Sequence, residues 1–185
     1  NKMKIKKHYL KRILALVCLL SIIHVAIGQN NTSNSSVSWK AQWITAIEQQ
    51  NETNNWTVYN KTFKVEQLPD MAFAKIACDS KYWMWINGEL AVFEGQLKRG
   101  PSPTDTYYDA VDIASYLKKG DNDISILVWY FGKDGFSHNS SGKAALIFDC
   151  QASGFELLSD NSWKVSIRRE FGTAGLPVPN YRLPE

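Results

Sequence analysis

The sequence predicts an all-β domain, a sandwich or barrel, and three observations carry that reading. From Trp56 onward, short apolar stretches alternate with Gly, Pro, Asn and Asp turn signals. One stretch, Lys81-Tyr-Trp-Met-Trp-Ile-Asn-Gly88, joins two-residue alternation to an Asn-Gly turn. Only residues 113–118 read as helical, a single turn with Asp112 as its N-cap and Gly120 just past its end.

The hairpin is the strongest element. Successive side chains of a strand point to opposite faces, so Tyr82, Met84 and Ile86 share one face and Trp83 and Trp85 the other. Asn87 and Gly88 supply the two positive-φ residues of a type I′ turn, and Leu90-Ala-Val-Phe93 is the returning strand. Both faces are apolar, which predicts burial inside a sandwich on one side and cover by a loop, a domain or a ligand on the other.

Taken in order, residues 1–28 predict a secretory signal peptide. Lys2, Lys4, Lys6, Lys7, Lys11 and Arg12 precede an apolar run from Ile13 to Ile27, and Ala26-Ile-Gly28 offers small residues for cleavage before Gln29. An uncleaved anchor is the alternative, but about 15 apolar residues are short against the roughly 20 that span a bilayer. Residues 29–38, rich in Asn, Ser and Thr, cannot bury enough apolar surface to offset chain entropy and predict a disordered tether. Residues 39–175 are predicted to fold as one domain with about eight strands, at 57–65, 72–79, 81–86, 89–94, 106–111, 124–131, 143–151 and 163–169. Leu176-Pro-Val-Pro179 opens an extended connector, 176–185, to a further domain.

Removing the leader reverses the charge. The whole chain has 21 basic and 18 acidic residues, net +3; without the six basic residues of the leader it has 15 against 18, net −3. No basic run remains, so no electrostatic footprint for nucleic acid is present. The export signal implies a secreted or periplasmic protein with no membrane association after cleavage. There a disulfide between Cys78 and Cys150 is permitted, with two buried thiols as the alternative. The Asn-x-Ser/Thr triplets at Asn30, Asn34, Asn55, Asn60 and Asn139 are explained more simply by Asn and Thr richness.

Several chemistries are unsupported. The Gly-x-Gly-x-x-Gly and Gly-x-Ser-x-Gly patterns are absent, and past the leader there is one histidine, His138, with two cysteines too scattered for zinc. What remains is aromatic and polar residues in two loops, which suits sugars: aromatic faces pack on pyranose rings while a few directional groups take the hydroxyls. The carbohydrate-binding candidates are Trp85, Arg99, Tyr107, Tyr108, Trp129, Tyr130 and His138. Ordinary core or interface packing is the plainer explanation of any one of Trp83, Trp85, Tyr108, Trp129 and Tyr130 taken singly. Asp105, Asp109 and Asp112 are weak calcium candidates, with capping and turn formation as the alternative; no other cofactor is expected.

Six motifs in order, Trp39-Lys-Ala-Gln-Trp-Ile-Thr45, Tyr59-Asn-Lys-Thr-Phe63, Tyr82-Trp-Met-Trp-Ile-Asn-Gly88, Tyr108-Asp-Ala-Val-Asp-Ile113, Leu117-Lys-Lys-Gly-Asp-Asn122 and Val128-Trp-Tyr-Phe-Gly132, resemble the N-terminal region of bacterial α-L-rhamnosidases of glycoside hydrolase family 78. The resemblance covers residues 39–185. It implies a jelly-roll β-sandwich of the galactose-binding-domain type, placed before further sandwiches and an (α/α)6 barrel that carries the chemistry. That chemistry would be inverting hydrolysis of terminal α-L-rhamnose by two carboxyl groups roughly 6.5–9.5 Å apart. No acidic residue here matches those positions, so no catalytic residue is assigned and the chain is expected to be a non-catalytic accessory domain. Its expected partners are the downstream domains of the same enzyme and plant or microbial rhamnosylated glycans. A carbohydrate-binding module for rhamnose-type sugars and a structural or adhesive surface domain are the alternatives.

Overall fold

The computed structural model describes residues 38–49, 52–97, 107–135 and 138–172. The predicted signal peptide, nearly all of the tether and the 176–185 connector lie outside the described residues, as do Arg99 and Asp105. No helix among the described residues is long and apolar enough to cross a membrane.

The fold is a jelly-roll β-sandwich. Nine strands are described: β1 (Asn55–Val65), β2 (Phe73–Cys78), β3 (Lys81–Ile86), β4 (Glu89–Gln96), β5 (Asp109–Asp112), β6 (Gly120–Tyr130), β7 (Leu146–Ala152), β8 (Phe155–Leu158) and β9 (Lys164–Ile167). They pair antiparallel into a five-stranded sheet, β4-β3-β6-β1-β9, and a four-stranded sheet, β5-β2-β7-β8. The core lies between them and takes alternate residues from each strand. Tyr59, Met84, Ile86 and Ile126 come from the first sheet and Ile76, Leu146 and Phe148 from the second, all fully buried.

The hairpin folds as its sequence predicts. Tyr82, Met84 and Ile86 are buried while Trp83 and Trp85 are only half-buried on the outer face. Asn87 and Gly88 have φ of 51° and 81°, both positive as a type I′ turn requires. Opposite Tyr82 in register stands Gly95, where a Cβ atom would come within 2.3 Å of the tyrosine ring, so only glycine lets that ring lie inward across the strand. Register shifts on both sides of Met84 bulge β4 away from a straight edge.

Differences from the sequence prediction are local. β8, after the Gly154 turn, is not predicted: Phe155-Glu-Leu-Leu158 breaks two-residue alternation at Leu157-Leu158, whereas the equally short β9 alternates. The helical stretch is a 3-10 turn, Ala114–Tyr116, and a second one is present at Ile47–Gln49. Ile113, not Asp112, is the N-cap; the Asp112 carboxylate sits one residue earlier and accepts from Ala114 N at 3.1 Å and Ala72 N at 2.9 Å. Cys78 and Cys150 are both free and buried. Cys150 stands opposite Ala74, four residues along β2 from Cys78, an offset of about 13 Å at 3.3 Å per residue against the ~7 Å limit for a bridge. Burial pushes the Cys150 thiol up to about 12, and Cys78 well above its ordinary range, so both behave as inert apolar groups.

Candidate functional site

The outer face of the five-stranded sheet carries an aromatic cluster. Trp56 of β1 and Trp129 of β6 are direct cross-strand partners, and both point outward because their neighbours in alternation, Thr57 and Val128, point in. Their rings stack at 4.6 Å with planes 13° apart. Phe171 stacks on Trp56 at 4.6 Å, Trp83 of β3 lies 5.8 Å from it, and Phe131 meets Trp129 edge-on at 4.7 Å. The indole nitrogens of Trp56 and Trp129 both donate to Asn54 Oδ1, at 3.3 and 2.8 Å, so one amide oxygen fixes both rings. Trp129 is thereby 9% exposed, although it stands on an outer face.

Beneath the neighbouring loop lies a buried polar cluster built on Asp79. His138 Nε2 is 2.8 Å from Asp79 Oδ1, and Ser80 Oγ donates to the same oxygen at 2.7 Å. Ser140 Oγ and Ser141 Oγ donate to Oδ2 at 3.0 and 2.8 Å, joined by the Ser141 amide. Burial alone would raise the Asp79 carboxyl, but the bonds from His138, Ser80 and Ser141 outweigh it and hold the group below its ordinary value. The cluster contains Ser, His and Asp without being a nucleophilic triad. A triad uses the two ring nitrogens separately, one for serine and one for aspartate. Here Ser80 Oγ, at 3.1 Å, and Asp79 face the same nitrogen, Nδ1 is buried without a partner, and Ser80 is fully buried. What the arrangement does is tie residues 138–141 to the end of β2.

The predicted sugar-binding residues among the described ones do not gather on one open surface. Trp85 is half-buried on the outer face opposite Leu90. Tyr107 and Tyr108 are 46% and 38% exposed before β5, where Tyr108 meets Trp39 edge-on at 5.6 Å and Trp39 in turn lies under Lys75 Nζ at 4.8 Å. Tyr130 is buried with its hydroxyl hydrogen-bonded to Ser140, so both it and His138 belong to the Asp79 cluster and not to an open surface. Of the calcium candidates, Asp109 Oδ2 accepts from Gln96 N at 2.7 Å and Tyr82 Oη at 3.1 Å, and Asp112 is held as described above. Among the described residues no three His, Cys, Asp or Glu side chains gather as a metal group. An open hollow of about 470 Å³ beside Asn60, Lys61, Asp123, Ile124, Ser162 and Lys164 has no aromatic ring in its lining.

Sequence reading missed Trp56, Asn54, Asp79 and Phe171 as members of these clusters. Pairing Trp56 with Trp129 requires the β1–β6 register, and Asp79 meets His138 only through tertiary folding.

No protein-family model and no curated protein matches the chain. Among solved structures, it is similar to a GH78 family rhamnosidase of Bacillus sp. GL1, with 30% identity, a TM-score of 0.62, and coverage of 70% of this chain but 13% of that one. It is also similar to an α-L-rhamnosidase from Dictyoglumus thermophilum, at 22% identity and a TM-score of 0.55 over 70% of this chain and 17% of that one. A Pleurotus ostreatus lectin solved with GalNAc shares the fold at 14% identity and a TM-score of 0.50, over 68% of this chain and 35% of the lectin. The chain therefore spans 13–17% of the length of these two rhamnosidases and corresponds to a domain-sized part of them.

Proposed function

We propose, from this match to a domain-sized part of family 78 rhamnosidases, that the chain is the non-catalytic N-terminal accessory domain of an exported, inverting α-L-rhamnosidase. The observation that carries the reading is the lopsided coverage: 70% of this chain against 13% of the enzyme. The carboxylates support it. Inverting hydrolysis needs one carboxyl poised as acid and another with room for water. Asp79 and Asp149 are the buried carboxylates among the described residues; Asp79 is saturated with donors, and Asp149 accepts from Lys40 N and Gln151 and is ion-paired with Lys75. Neither has an oxygen facing open space where a glycosidic bond would sit.

The test is direct. This chain, purified free of other glycosidases, is expected to leave an aryl α-L-rhamnoside intact while the complete polypeptide hydrolyses it. Turnover by the chain that vanishes in Asp79→Asn or Asp149→Asn would overturn the accessory-domain reading.

A second reading, a carbohydrate-binding module for rhamnose-type sugars, rests on the half-buried tryptophans of the outer face and the exposed pair Tyr107 and Tyr108. Stacking on an open site gains few contacts, so millimolar affinity is expected, about −4 kcal/mol. Calcium, through Asp105, Asp109 or Asp112, would enter as a co-ligand. Calorimetry against L-rhamnose, with and without calcium, distinguishes this reading from a purely packing role.

A further inference from the structure

Of the two outer faces, the chain covers one itself. On the four-stranded sheet Asp149 points outward yet is fully buried, because the segment running in from Trp39 crosses it: Lys40 N and Ala41 N donate to Asp149 Oδ2 at 2.8 and 3.3 Å, and Gln42 N to Ser159 O at 2.8 Å. The five-stranded sheet has no such strap among the described residues, although it is the more apolar. Leu90 stands opposite Trp85 and is 45% exposed; Phe93, which follows inward-facing Val92, turns to the same side and is 72% exposed. With Trp83, Trp56 and Phe171 they extend an apolar surface across β4, β3, β6 and β1, roughly 15 Å at the spacing of neighbouring strands. An exposed apolar surface of this breadth marks an interaction site.

We propose that this face docks an apolar patch on the domain that follows in the complete polypeptide, an inference that rests on the accessory-domain reading and names its contact. Two observations select that occupant over a second copy of the chain or a sugar. Phe171, one residue from the last one described, is seated on Trp56, so the described chain ends on this face and not on the strapped one. The chain also matches only 13% of the Bacillus enzyme, leaving ample protein to supply the partner surface. The Lys81–Glu94 pair, 3.2 Å apart at the edge of the patch, gives it the polar rim usual around a docked apolar centre.

The experiment compares Leu90→Lys/Phe93→Lys in this chain and in the complete polypeptide by calorimetry. In the chain alone both side chains already face water, and Tm is expected to stay within about 2 °C. In the complete polypeptide the charges fall inside the contact, and the transition of this domain is expected to drop by roughly 5 °C or more and to separate from the rest. An unchanged transition in the complete polypeptide overturns the proposal. So does a dimer of the chain in sedimentation that the double variant disperses, or saturable rhamnose binding that it abolishes. Hydrolysis of the aryl rhamnoside, measured on the same samples, reports separately on the accessory-domain reading.

Discussion

Asn87 Nδ2 donates to Asn122 Oδ1 at 2.8 Å, and this bond, with Asn87 N to Asp123 O at 2.9 Å and Asp123 N to Asn87 Oδ1 at 3.2 Å, fastens the β3–β4 turn to the turn that begins β6. Asn122 is 1% exposed with its amide fully used: Oδ1 also accepts from Lys118 N at 2.9 Å, and Nδ2 donates to Lys118 O and Gly120 O at 2.7 and 2.9 Å. Asn87 adds a bond to Tyr116 O at 2.8 Å. Asn122→Ala would strand buried backbone groups and is expected to cost about 2–4 kcal/mol. Asn87→Gly keeps the positive-φ turn and should cost less, about 1–2 kcal/mol. Urea midpoints for the singles and the double test this; additive losses would show that the Asn87–Asn122 side-chain bond contributes no coupling.

The hairpin faces predict a second ranking. Met84 and Ile86 are fully buried, so Met84→Asp or Ile86→Asp places an unpaired carboxylate in the core and should unfold the domain, given a total stability of ~5–15 kcal/mol. Trp85→Ala removes a half-buried ring from the outer face and should leave a folded protein. A far-ultraviolet spectrum of each variant decides; loss of structure in Trp85→Ala alone would reverse the assignment of the faces.

What was legible in the sequence was whatever a single strand or turn writes locally. Alternation in Lys81–Ile86 gave both faces of β3, and Asn87-Gly88 gave the turn type. Eight of the nine strands carry enough residues or enough alternation to be placed, while β8 does not. The clusters were not legible, because each depends on register between distant strands. Asn54 reaches Trp129 across 75 residues and Ser80 reaches His138 across 58, and neither pair leaves a local pattern. The motifs Ile86-Asn-Gly88 and Gly120-Asp-Asn122 were visible one by one, but only folding shows that they bond to each other.

The Asp79 cluster makes stability depend on acid. A carboxyl held below its unfolded value contributes stability above that value, near pH 4, and loses it as pH falls through the lower folded one. Asp149, also lowered against the effect of burial by bonds from Gln151 and the Lys40 and Ala41 amides, acts in the same window. Asp79→Asn is therefore expected to lower stability at pH 7 by about 2–3 kcal/mol, and to flatten, without abolishing, the decline below pH 4. Chemical denaturation between pH 2.5 and 7 measures both effects; an unchanged slope in the variant would show that Asp79 carries none of the acid sensitivity.

Trp129 separates packing from binding. Its ring is 9% exposed, stacked on Trp56 with the indole nitrogen bonded to Asn54, so Trp129→Ala opens a cavity and leaves the Asn54 oxygen short of one donor. The expected cost is about 3–5 kcal/mol, a fall in Tm visible without any ligand. Tyr108 is 38% exposed and meets Trp39 edge-on, so Tyr108→Ala should cost less than Trp129→Ala, about 1.5 kcal/mol. A sugar platform needs the opposite behaviour from Trp129: a ring open enough to stack on a pyranose can be removed with little loss of stability. Thermal melts of the two variants, followed by calorimetry with L-rhamnose on whichever remains folded, put the two roles in one measurement. A Trp129→Ala protein as stable as the parent and unable to take up rhamnose heat would make Trp129 a binding residue; a protein destabilised as expected makes it the keystone of the outer aromatic face.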